Sequence, residues 1–155
     1  MTVRSVVATA AIVATGAPLM AQAAEPVQLA SDVFVERFAN GPGGRISRIL
    51  ERADQLHPGD QVVFVVNWKA SRVREFTVTN PMPRAISFQR SSNGSEEVSI
   101  DGGRNWGLLE DLRVREADGR VRHATPEDVT HLRWRVPTTM AAAGSGQLTY
   151  RGIVR

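Results

Sequence analysis

Apolar residues recur mostly at every second position along this chain, in short runs bounded by Gly, Pro, Asn, Asp and Ser, which is the period of half-buried strands. The clearest run follows the tight-turn sequence His57-Pro58-Gly59-Asp60. There Gln61 to Lys69 sets Val62, Phe64, Val66 and Trp68 on one face and Val63 and Val65 on the other. This β-branched and aromatic run predicts a central strand whose first half is buried on both sides. Ahead of it, Val33 and Val35 alternate with Phe34 and Glu36, so a first strand is expected from residue 33, with residues 24–32 as a leader into it. Asn40-Gly41-Pro42-Gly43-Gly44 predicts a reversal, because glycine supplies positive φ and proline fixes φ at about −65°. Arg45 to Arg52 is expected as the next strand, although Ile46, Ile49 and Leu50, extended by Leu56, suit a helical turn equally.

Beyond the central strand, Phe76 and Val78 predict a strand that Pro81 and Pro83 end, and Ile86 and Phe88 restart the alternation. Val98 and Ile100 mark a short strand running into Asp101-Gly102-Gly103. Leu112 and Val114 predict another, joined through the turn Ala117-Asp118-Gly119 to Arg120–His123. Thr125-Pro126-Glu127-Asp128 reads as a capped helical turn with Thr125 at the N-cap, Pro126 at N1 and Asp128 at N3. His131 to Val136 turns Leu132, Trp134 and Val136 inward; Ala141 to Gly146 is a small-residue loop; Leu148 and Tyr150 open a closing strand that ends near Arg155. About seven to eight short strands without a long helix predict an all-β fold, an immunoglobulin-like antiparallel β-sandwich over residues 33–155.

The first residues follow another pattern. Arg4 precedes an apolar run from Val6 to Met20, and Ala21-Gln22-Ala23 supplies the small residues that signal peptidase accepts. Gly16 and Pro18 interrupt the run short of the about 20 apolar residues a membrane span needs. A signal peptide over residues 1–23, cleaved after Ala23, is therefore expected, with no transmembrane segment after cleavage. The expected destination is the periplasm, the outer surface or the medium. With no cysteine, an exported domain must be held by its apolar core instead of disulfides. A hydrophobic content of 42% is enough for one and excludes wholesale disorder. The formal charge of +3 is small, and Lys69 is the sole lysine among 19 basic residues, so charge points to no nucleic-acid partner.

His57-Pro58-Gly59-Asp60, the strand to Trp68, Val78-Thr79-Asn80-Pro81-Met82-Pro83, Ser99-Ile100-Asp101-Gly102-Gly103 and Asp128-Val129-Thr130-His131-Leu132-Arg133-Trp134 occur in an order that resembles a bacterial family. It is the conserved surface-protein repeat, domain of unknown function number eleven, and the resemblance spans about Val33 to Arg155. It implies an immunoglobulin-like sandwich outside the cytoplasm and no assigned activity. Family members often stand in tandem, whereas this chain carries a single copy.

Four positions, Ser99, Asp101, Gly103 and Trp106, complete the Asp-box pattern Ser-x-Asp-x-Gly-x-x-Trp. Its chemistry is structural: a carboxylate accepts backbone N–H bonds across a turn, glycine takes positive φ and the indole packs beneath. One box is too few for a propeller, which needs at least about four blades. Arg113 and Arg115, and likewise Arg133 and Arg135, alternate so that each pair lies on one side of its strand, a possible patch for anionic envelope polymers and equally a guard against edge pairing. Trp68 and Trp134 share their faces with aliphatic residues and are expected in the core, leaving Trp106 as the aromatic available for sugar stacking. His57, His123 and His131 lack metal-ligand spacing, no calcium loop or serine elbow occurs, and no cofactor is expected. The expectation is a non-catalytic module with a structural or interaction role in the cell envelope, its partner an envelope protein or an anionic envelope polymer. The alternative is a small carbohydrate-binding or carbohydrate-active protein using the Asp-box hairpin and Trp106.

Overall fold

Strand alternation organises the chain, and a computed structural model describes residues 26–155; the expected signal peptide lies outside them. The elements run β1 (Val27–Asn40), β2 (Ile46–Arg52), β3 (Gln61–Ala70), β4 (Phe76–Pro81), β5 (Ile86–Ser91), β6 (Glu97–Ser99), β7 (Arg113–Arg115), β8 (Val121–His123), β9 (His131–Val136), a one-turn helix α1 (Thr138–Ala141) and β10 (Ser145–Val154). Three-residue 3-10 turns precede β2, β7 and β9. The result is an all-β fold in antiparallel sheets, ordered β2-β1-β3-β10-β5, β4-β9-β6 and β7-β8.

The five-stranded and three-stranded sheets share one apolar core. Val62, Phe64, Val66 and Trp68 of β3, with Leu148 and Tyr150 of β10 and Ile86 and Phe88 of β5, pack in the same cluster as Val78 of β4, Val98 of β6 and Leu132, Trp134 and Val136 of β9. Tyr150 joins the layers: its ring stacks on Phe64 at 4.5 Å and lies 5.7 Å from Trp134. The buried hydroxyl accepts a 2.7 Å bond from Asn80 Nδ2. Burial pushes its pKa above the ordinary tyrosine value, against the lowering effect of that bond. As expected, β3 is buried on both faces at its start, where Val62 and Val63 expose 0% and 3%. Close approach requires two glycines of β10. A Cβ on Gly152 would stand 2.3 Å from Ile86 Cγ2, and one on Gly146 would stand 2.3 Å from Trp68 Cζ2.

Three differences from the sequence reading have physical causes. β1 begins at Val27, inside the expected leader, and pairs with β3 from Val27↔Ala70 onward. Ser31 breaks the apolar alternation and Leu29 is half exposed, so backbone pairing extends the strand where the pattern does not. Pro81 closes β4 from within it. Met82 N–H bonds the Thr130 carbonyl, so alternation turns the missing N–H of Pro81 to the sheet's free edge. The expected loop at Ala141 opens with the helical turn Thr138–Ala141, which buries Ala141 in the core. Between Arg45 and Arg52 the strand alternative holds and the helical one fails.

Candidate functional site

At the Asp-box, the chain leaves β6 into a turn wired by its own side chains. Ser99, fully buried, donates to Asp101 Oδ1 at 2.8 Å and accepts from Gly103 N–H at 2.9 Å. Asp101 Oδ1 also takes the N–H groups of Arg104 (3.1 Å) and Asn105 (2.9 Å), and Oδ2 takes Asn105 Nδ2 at 2.6 Å. Gly102 and Gly103 adopt φ of 79° and 88°, the region a Cβ disfavours. Chiefly the Asn105 N–H, then the Asn105 and Ser99 side chains, hold the Asp101 carboxyl well below the usual carboxylate range.

Trp106 closes the turn, its indole N–H donating to the Gly103 carbonyl at 3.0 Å. The Arg133 guanidinium lies 4.6 Å from the ring centre, and His131 meets the ring edge-on at 6.4 Å. A sugar stacking on that face must displace the arginine. Ser99, Asp101 and His131 are the residue types of a hydrolytic triad, and Ser99 and His131 are paired across β6 and β9. Their wiring is different: the serine hydroxyl donates to the aspartate, and His131 Nδ1 lies 3.1 Å from Thr130 Oγ1. The arrangement fixes a turn and places the His131 imidazole on Thr130 instead of on the Ser99 hydroxyl.

The four arginines occupy two sheets. Arg133 and Arg135 stand on β9, where Arg133 Nε pairs with Glu97 Oε2 at 2.7 Å and holds the Glu97 carboxyl below its ordinary pKa. Arg113 and Arg115 stand on the β7-β8 hairpin and donate to nearby carbonyls, Arg113 to Glu110 and Leu112 and Arg115 to Gly119. In the same hairpin Arg122 bonds both Asp128 oxygens, at 2.6 and 2.9 Å, and Glu116. Much of the expected basic face is thus internally bonded.

The larger surface feature lies elsewhere. β1 pairs with β3 only as far as Val35↔Val62, whereas its pairing with β2 runs from Phe34↔Arg52 to Asn40↔Ile46. Past Val35, therefore, β1 and β2 form a two-stranded ribbon beyond the sheet. Every β2 residue is exposed, and Phe38, Ile46 and Leu50 expose 64%, 71% and 44% on one ribbon face. The ribbon's cations are counter-charged: Glu36, buried, takes Arg48 at 3.0 Å and Arg151 at 3.2 Å, Asp32 takes Arg52 at 3.3 Å and Asp60 takes Arg37 at 2.8 Å. The spacing of Ile46 and Leu50 was visible in the sequence, but alternation alone does not say whether an apolar face is covered.

Several recesses mark the surface. One of about 290 Å³ is polar, lined by Arg90, Ser91, Ser92 and Arg151. Another, about 470 Å³, is lined by Phe88, Val98, Leu108 and Leu109 together with Glu96 and Glu110. Among the described residues, no group of three or more histidines and carboxylates is placed to hold a metal ion. No protein-family model, curated protein or solved structure matches the chain.

Proposed function

We propose that this chain is an exported, non-catalytic module with a structural or interaction role in the bacterial cell envelope, built as an immunoglobulin-like β-sandwich. Support for the sandwich comes from two antiparallel sheets contributing to one core and from the order of motifs that resembles surface-protein repeats. Support for export comes from Arg4, the apolar run Val6 to Met20 and Ala21-Gln22-Ala23. The observation that carries the interaction role is the β1-β2 ribbon, which holds large apolar side chains in water where a domain serving only its own stability would cover them. The Asp-box supports a scaffold role, since its polar groups are spent on one another.

Co-sedimentation with bacterial envelope fragments tests this reading. Wild-type protein is expected in the pellet. A variant combining Phe38→Ser, Ile46→Ser and Leu50→Ser is expected to lose about tenfold in retention, which is about 1.4 kcal/mol of affinity, while still unfolding cooperatively. Equal retention of the two proteins, or none of the wild type, contradicts the proposal.

A further inference from the structure

The free edge of β2 is chemically specific. Gly41 N–H bonds the Arg45 carbonyl and Ala53 N–H bonds the Val33 carbonyl, at the two ends of the β1-β2 ladder. Antiparallel pairing alternates, so Ser47, Ile49 and Glu51 direct their backbone groups to β1. Ile46, Arg48, Leu50 and Arg52 therefore direct theirs outward, where β2 as the edge strand has no neighbour among the described residues. The other edge of that sheet is managed: β5 lies beside the 3-10 turn Pro126–Asp128, and Arg155 donates to the carbonyls of Ile86 and Glu127.

From this geometry we infer that β2 pairs antiparallel with β2 of a second copy of the chain, about a two-fold axis at Ile49. The inference rests on the ribbon being a contact surface and names its occupant. In this register Ile46 faces Arg52 of the copy and Arg48 faces Leu50, so all four outward residues pair and about eight inter-strand hydrogen bonds form. Ile49 meets its own counterpart in a pair without direct hydrogen bonds, where side chains come closest, and Ser47 meets Glu51. No like charges stand directly opposite. Charge also favours a copy over an acidic or basic partner, because Arg48 and Arg52, which would otherwise guard the edge, are already held by Glu36 and Asp32. Ile49, 41% exposed, and Leu50, 44% exposed, would be covered by the pairing.

Because the chain has no cysteine, single-cysteine variants read the register directly. Under mild oxidation Ile49→Cys is expected to form a disulfide-linked dimer at least about tenfold faster than Glu51→Cys on the same strand or Val73→Cys at another exposed position, since only residue 49 meets itself at disulfide distance. In sedimentation velocity the wild-type mass should rise from one chain to two with concentration. Leu50→Pro removes an outward N–H while sparing the ladder to β1, and should remain monomeric with an unchanged circular dichroism spectrum. Equal cross-linking rates, or a wild-type monomer at every concentration up to about 1 mM, overturn the pairing. A monomer whose envelope retention still depends on Phe38, Ile46 and Leu50 overturns the pairing alone and leaves the interaction role standing.

Discussion

Asp101 illustrates how a polar residue can hold structure through its own carboxylate. Its oxygens collect the hydroxyl of Ser99, two backbone N–H groups and one side-chain amide. Asp101→Ala leaves those donors without their acceptor and is expected to lower the melting temperature by roughly 3–6 °C. The same bonds depress the Asp101 pKa in the folded state below the ordinary 3.8. A depressed carboxylate stabilises the fold above its unfolded pKa and loses that contribution as pH falls through the folded one. Stability measured between pH 5 and pH 2 should therefore fall more steeply for the wild type than for Asp101→Asn, which cannot titrate; identical slopes would contradict the assignment. The role of this residue was legible because Ser, Asp, Gly and Trp each have one strong reason to stand at that spacing. The partner of Trp106 was not, because Arg133 arrives from a strand about 27 residues further on, and no local pattern reports such a meeting.

Single elements were read well where local chemistry decides them. The turn at Thr125 is capped as its sequence suggests: Asp128 Oδ2 accepts the Thr125 N–H at 2.8 Å and its hydroxyl at 3.0 Å. The same carboxylate is paired by Arg122, chiefly responsible for holding it below the usual carboxylate range, and so fastens the β7-β8 hairpin to the turn that opens β9. Asp128→Ala breaks cap and fastening together and is expected to cost about 2 kcal/mol in urea unfolding, with an unchanged m value. A loss within about 0.5 kcal/mol of zero would contradict that joint role. Strand β2 was ambiguous for the opposite reason. Its residues are all exposed, so no core selects between a period of two and a period of 3.6, and only the pairing with β1 settles the conformation.

At the scale of the whole molecule, alternation predicted the all-β class and most of the core, including Val62, Phe64, Val66, Trp68, Leu132, Trp134 and Val136. It could not give the order of strands. β3 lies between β1 and β10, and β9 between β4 and β6, and each neighbour is chosen by shape and register over long separations in sequence. Nor could it show that β1 outruns β3 and leaves a ribbon in water. The central claim is that one core, shared by two sheets, holds the molecule while that ribbon stands outside it, and amide hydrogen exchange resolved by residue in dilute solution tests it most directly. Val62, Val66, Leu132, Trp134, Leu148 and Tyr150 are expected to exchange only through global unfolding, while the outward amides of Ile46, Arg48, Leu50 and Arg52 exchange rapidly. Rapid exchange through β3 and β10, or strong protection of those four amides in the monomer, would contradict it.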